Sequence, residues 1–321
     1  MAEDTPEGTG SEVKPNKGRR TSLATRLAVV VLLVSILSIL VSVVVSSNSI
    51  GSTSDELIEQ RVTTRSNATA AELNEYYRDL ALQVAILASG ASAPTVVTEF
   101  AAAYDELDAL DPDSLGDEAE RLLAYYTDEF IPSLADVRGT SVDPDELIPR
   151  AQSAPTYLQT AYIADSTVEP IERRLITDAG DGSTWTEVHK KYHPPLRSRI
   201  DAIGFDDLFL VDADTGAVVY STNKDVAFGT NLIAGPHSGT PLASLSRRVI
   251  ATGEPDDVEA ADFATYTPLL DLPSGFLAAP VFDGDDLVGV LAVSVDLDSV
   301  TDIMTSSWRD GRFGETGEQY L

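Results

Sequence analysis

Hydrophobic positions change their period four times along the chain. From Leu27 to Val45 the run "LAVVVLLVSILSILVSVVV" carries no charge, and its length matches what a helix needs to cross a bilayer core. Asp55 to Ser89 contains neither Gly nor Pro and places Leu73, Tyr76, Leu80, Val84 and Leu87 at three-and-four spacing, which predicts one long helix with Ser54 as N-cap and Gly90 with Pro94 as its stop. Thr95 to about Arg199 keeps a helical pattern broken by acidic turns such as "DPDSLGDE" and "SVDPDE". Past Gly204 the period drops toward two. "DDLFLVD" and "AVVYS" around the turn "ADTG" predict a hairpin, "PLASLSRRVIATG" a helix ending at Gly253, and "VEAADFATYTP", "FLAAPVF" and "LVGVLAVSVD" three further strands.

The expected fold class is therefore α+β: one transmembrane helix, a long stalk helix with a helical layer, then a five-stranded antiparallel sheet with helices on one face, the order of a PAS-like module. The divisions that follow are a basic tail over 1–26, the membrane helix over 27–46, the helical part over 47–200, the sheet module over 201–300, and a linker helix with the start of a further module over 301–321. The tail up to Arg26 has five basic and four acidic residues, and the positive-inside rule puts it in the cytoplasm and the remainder outside the cell membrane. Asn67-Ala68-Thr69 is the one N-x-S/T sequon, so Asn67 is the candidate glycosylation site.

Charge narrows the partners. Across 321 residues the formal net charge is −30, from 22 Lys and Arg against 52 Asp and Glu. After Arg26 the lysines are Lys190, Lys191 and Lys224 alone, against 14 arginines, a composition expected of a halophilic archaeon, where salt screens the repulsion. Nucleic acid is not an expected partner, because its recognition needs basic patches. The chain has no cysteine, which excludes disulfides and thiolate metal sites.

Catalytic signatures are missing. There is no G-x-S-x-G elbow and no GxxxxGK[ST] loop, and Asp206-Asp207 and Asp285-Asp286 read as solvated carboxylates, so no enzyme activity, catalytic residue or cofactor is expected. His189 and His193 stand four apart on one helical face, a spacing that can share a metal ion, but Lys190 occupies the place of a zinc protease's Glu and Pro194-Pro195 are expected to break the helix. A structural role outweighs a metal site there.

Six ordered blocks, "AYYTDEFIPSL", "YLQTAYIAD", "DAGDGSTWTEVHKKYHPPLRSRI", "GFDDLFLVDADTGAVVYSTNKDVAFGTNL", "FLAAPVFDGDDLVGVLAVSVD" and "GETGEQYL", resemble the extracytoplasmic Cache-type sensor region of membrane-bound signal transducers, a family that includes methyl-accepting chemotaxis proteins, sensor kinases and nucleotide cyclases. In double-Cache relatives the last block opens a second module, so the resemblance implies the sensory front of a longer receptor, truncated or split before that second module and without its output domain. "ADSTVEP" and Gly235-Pro236-His237 depart from the family's usual loops. By the same analogy a small molecule, an amino acid, organic acid or amine, is expected between the sheet and its crossing segment, lined by Trp185, Tyr192, Tyr220, Lys224, Asp262, Tyr266 and Phe276. Lys224 and Asp262 would clamp opposite charges. A homodimer is expected through the stripe Leu73, Tyr76, Leu80, Val84 and Leu87. The alternative function is a stand-alone, membrane-anchored solute-binding protein that presents its ligand to a partner.

Overall fold

A computed structural model describes residues 62–149, 152–295 and 297–309, with 35, 38, 39 and 60 besides. The expected membrane helix at 27–46, those isolated positions apart, the basic tail and the "GETGEQYL" block lie outside the described residues. The chain divides into two units at Asn67/Ala68, and the architecture below is that of the second.

Helix α1 spans Val62–Ala88 and α2 spans Ala93–Asp108. Among the described residues no single helix is long and apolar enough to cross a membrane; α1 and α2 reach that composition only as a pair bent by 68°. Their apolar sides are consumed elsewhere. Leu80, Val84 and Leu87 are buried, and Leu73 and Tyr76 pack against the same core as the sheet. The stripe expected to pair two subunits is thus covered by the protein's own domain, and the pairing loses the observation that motivated it.

The helical layer continues through α3 (Gly116–Tyr125), a π-helical segment Tyr126–Phe130, and α4 (Ile131–Arg138). Next come α5 (Ser153–Gln159) with a second π segment, Thr160–Ala164, and α6 (Thr184–Ile203). Ser183 caps α6, its Oγ accepting from the Thr186 N–H at 3.1 Å, and Gly204 ends it at φ 94°. Pro194 and Pro195 were expected to break this helix after His193, yet it runs through both. Each proline removes one helical N–H and crowds a carbonyl one turn back. Burial of Trp185, His189 and His193 before them and Ile200 after them holds the two halves on the sheet and outweighs that cost.

Strands β1 (Phe205–Asp212), β2 (Val218–Ser221), β3 (Glu259–Tyr266), β4 (Leu272–Asp283) and β5 (Asp286–Val295) form an antiparallel sheet in the order β2-β1-β5-β4-β3. The class is α+β, as the changing period implies. Helix α7 (Pro241–Thr252) crosses from β2 to β3, and α8 (Leu297–Arg309) follows β5. Helices cover both faces of the sheet rather than one. On β5, Leu291, Val293 and Val295 face the layer of α1, α2, α5 and α6, while Val290 and Ala292 face α7. Two-sided burial explains why "LVGVLAVSV" and "FLAAPVF" read as apolar runs instead of alternating.

A third, smaller core joins Leu122, Tyr126, Phe130, Ile131, Leu134 and Leu147 of the α3–α4 region to Val226. Val226, Ala227 and Phe228 are consecutive, and each is buried in a different core: the small one, the α7 face and the helical face respectively.

Gly289 fixes how closely α2 approaches the sheet. A Cβ there would lie 2.6 Å from Val97 Cγ1 and 2.8 Å from the Val211 carbonyl oxygen. Gly289→Ala is expected to destabilise the fold by about 1–3 kcal/mol, the range for overpacked cores, read as a lower urea midpoint with the slope unchanged.

Candidate functional site

The expected ligand residues fall into separate groups. Trp185, Tyr192 and Tyr220 gather around Phe100 on the helical face, with ring centroids 5.5, 6.1 and 4.8 Å from it. Trp185 is fully buried and its Nε1–H donates to the Val219 carbonyl at 3.0 Å. Tyr266 and Phe276 lie on the α7 face, their rings 5.0 Å apart. Asp262 is exposed on the edge strand β3, where it lines two surface grooves of about 570 and 640 Å³. Lys224 is buried beyond the opposite edge strand, β2. An Asp262–Lys224 clamp is therefore not assembled.

Lys224 belongs to a buried polar turn that follows β2. Its backbone is left-handed, φ 59°, and its Nζ donates to the Thr222 carbonyl at 3.1 Å and stands 5.5 Å from the Tyr162 ring centre. Asp207 organises this turn. It is 3% exposed, not solvated as the Asp206-Asp207 pair suggests from sequence. Its Oδ1 accepts the N–H groups of Leu208, Thr222 and Asn223 at 2.7, 2.9 and 3.0 Å, and its Oδ2 accepts the Ser221 hydroxyl at 3.0 Å. Burial pushes its carboxyl up to about 7, despite these donors. Burial likewise pulls the Lys224 ammonium down to about 7, with Asp207 opposing.

The histidines are engaged within the helical core. His189 and His193 stack with centroids 4.2 Å apart. His189 Nδ1 meets the Thr177 carbonyl at 2.9 Å, so that nitrogen carries the proton. His193 Nε2 meets the Arg174 carbonyl at 2.8 Å, which leaves Nδ1 to accept the Tyr220 hydroxyl at 2.9 Å. Burial lowers both imidazoles, His193 to about 3, so both are neutral at pH 7. Among the described residues no group of three metal-ligating side chains comes together.

What remains unpaired lies mainly on the other face. Ten buried side-chain nitrogen or oxygen atoms among the described residues lack a partner, and seven of them belong to Arg173, Asp225, His237, Ser246, Tyr266 and Ser294. Buried polar groups are almost always satisfied, so each of these atoms calls for a partner such as an ordered water or a bound molecule. The carboxyl of Asp225 is held by Ala227 N–H at 2.8 Å through Oδ1, while Oδ2 is free. Burial pushes it up to about 6, with the Tyr266 hydroxyl and the Arg173 guanidinium favouring its charged form. The Tyr266 hydroxyl and the Asp225 carboxyl thus face each other closely enough to interact. His237, pulled down to about 4 by burial, lies beside the Val226 backbone. Ser246 and Ser294 add hydroxyls from α7 and β5.

Gln159 steadies this loop. Its amide donates to the Val226 and Phe228 carbonyls at 2.9 and 2.8 Å, and its Oε1 accepts the Tyr126 hydroxyl at 2.9 Å. Gln159 and Tyr126 stand at the entrances to the two π segments, a backbone form common at functional sites. Of the site's members Tyr266 is picked out by sequence reasoning as a lining residue, and His237 only through its departing Gly235-Pro236-His237 loop. Asp225 is signalled, in retrospect, by a lone Lys-Asp pair inside the apolar stretch "VVYSTNKDVAFG"; Arg173, in a charged 3₁₀ turn, carries no such signal.

The set offers a guanidinium, a carboxyl, an imidazole and three hydroxyls. No hydroxyl in it is hydrogen-bonded to the His237 imidazole. It can hydrogen-bond a small polar molecule.

No family model matches the chain, and no curated protein matches it. Among solved structures, the sensor domain of the V. cholerae histidine kinase DctB aligns over 57% of this chain and 59% of that one, with 18% sequence identity and a TM-score of 0.29. The alignment spans less than two thirds of that domain, and at this TM-score it carries no argument about fold or activity.

Proposed function

We propose that the chain is the extracytoplasmic small-molecule sensor region of a membrane-anchored signal-transduction receptor, of the chemotaxis-transducer or sensor-kinase type, and that it works without catalysis. One observation carries the ligand site: buried polar atoms of Arg173, Asp225, His237, Ser246, Tyr266 and Ser294, supplied by five separate segments, close no short hydrogen bond, and Arg173 and Tyr266 both act on the Asp225 carboxyl. The sheet order β2-β1-β5-β4-β3 is that of a PAS-like module, which supports the Cache-type reading, as do the six ordered sequence blocks. The apolar run at Leu27–Val45 supplies the anchor. Ligand enters this account as a bias between two states of the helical layer, and it can shift them only by its differential affinity.

The test is a thermal-shift screen of the full chain in detergent and molar salt against amino acids, organic acids and amines. A true ligand at a hundred times its Kd adds about 2.7 kcal/mol, a shift of several degrees. Asp225→Asn and Arg173→Gln are expected to remove the shift. Should both variants respond like the parent, the ligand site lies elsewhere.

A further inference from the structure

The unpaired atoms of the proposed site are buried, so a molecule arriving from solvent reaches them only if a wall moves. The sheet and α7 are poor candidates. Leu242, Ala243, Leu245 and Val249 tie α7 into the core of its sheet face, and the helical layer owns the largest core in the molecule. The remaining wall is the α3–α4 region, whose small core is shared with Leu147 and Val226 and whose inner end is hinged on the helical layer by the Tyr126–Gln159 and Thr160–Glu118 hydrogen bonds at 2.9 and 3.0 Å.

This region touches each of the segments that carry the site's charged groups and phenol. Tyr125 faces Arg173, whose guanidinium lies 5.3 Å from its ring centre, with NH1 and NH2 at 3.4 and 3.5 Å from the Tyr125 hydroxyl. Those bonds are long. Tyr126 packs with Val226, next to Asp225. At the far end, Arg138 grips the turn just after Tyr266: its Nε and NH2 donate to the two Asp271 oxygens at 2.5 and 2.9 Å, and NH2 also reaches Thr267 Oγ1 at 3.1 Å. The Arg138 contact holds the Asp271 carboxyl below its ordinary range.

Three backbone features mark this contact as a catch. Leu270 and Asp271 are consecutive non-glycine residues in the left-handed region, φ 53° and 60°, a conformation that costs energy and persists where its surroundings enforce it. Gly139, φ 67°, ends α4 directly after Arg138, and the π segment Tyr126–Phe130 interrupts the regular helical ladder at the lobe's inner end. We propose that residues 116–138 form a lid over the site and that the Arg138–Asp271 pair is its catch. The proposal rests on the ligand site argued above.

The chain's lack of cysteine makes the motion measurable. In the full chain, Ser294→Cys replaces an unpaired buried hydroxyl on the sheet with a thiol of similar size. Its reaction with dithionitrobenzoate reports opening of the site. Adding Arg138→Ala or Asp271→Asn is expected to speed labelling about tenfold, the scale of a lost charge-assisted pair, with Arg138→Lys in between. Hydrogen exchange of β1 and β5 amides stays unchanged if only the lid opens. If Ser294→Cys does not fold, Ser246→Cys places the thiol on the α7 side. Labelling unaffected by the catch variants overturns the lid, as does labelling that rises together with exchange in β1 and β5, which is global unfolding. The readout needs no ligand. Opening with no hit in the thermal screen keeps the lid and sinks the sensor-site reading, whereas a bound molecule with unmoved labelling does the reverse.

Discussion

Asp207→Ala is expected to lower the melting temperature by roughly 6–12 °C, from a loss of about 3 kcal/mol at roughly 2–4 °C per kcal/mol for a domain of this size. The substitution removes the acceptor of three backbone N–H groups and of the Ser221 hydroxyl, all in a place water does not reach. Unsatisfied buried donors cost more than the bonds themselves contribute. Asp207→Asn keeps one acceptor and discloses the electrostatic part. The folded carboxyl titrates near 7 against 3.8 when unfolded, so the folded state binds its proton more tightly. Its contribution to stability is fully present below the unfolded value and is lost as pH rises through the folded one. The melting temperature of the parent relative to Asp207→Asn should accordingly be highest near pH 4 and fall toward pH 8. His193 and His237, lowered to about 3 and 4, carry the opposite sign, but they are common to both proteins and cancel in the difference. A difference that is flat or rises with pH would contradict a raised Asp207.

Trp185→Ala is expected to cost about 3–5 kcal/mol, the range for removing a large buried aromatic side chain. The indole touches Phe100, Tyr162, His189 and Phe228 at centroid distances of 5.0 to 5.5 Å, and truncation also strips the Val219 carbonyl of its donor. Trp185→Phe keeps most of the packing and should lose less. Urea midpoints check the ranking. The same pair of variants separates core from ligand lining: a core tryptophan lowers the midpoint while a thermal shift persists in protein that still folds, and a lining tryptophan loses the shift at small cost to stability.

Much of the sheet was legible in the sequence because its signals are local. "ADTG" and "DGDD" announce tight turns, and α7 is bracketed by Thr240, whose Oγ1 accepts the Ala243 N–H at 3.2 Å, and by Gly253. Pro194 and Pro195 misled, because the forces that keep α6 continuous come from tertiary burial. The stripe on α1 was visible, but its partner was not: spacing says that a helix face is buried and is silent about what buries it. The candidate site was harder still. Its parts are separated by up to 121 positions, from Arg173 to Ser294, and the property that defines them, polar atoms left without partners, exists only after the chain has folded. An acidic chain offers dozens of carboxylates, and nothing local distinguishes Asp207 or Asp225 from those at the surface.

The tripeptide Val226-Ala227-Phe228 touches all three cores. Each residue packs in a different cluster, Val226 follows Asp225 directly in the chain, and one glutamine, Gln159, donates to the carbonyls of Val226 and Phe228. Double substitutions that pair Val226 with Ala227 or Phe228 are therefore expected to depart from additivity in stability, and the size of that departure measures how stiffly this short segment couples the cores it touches.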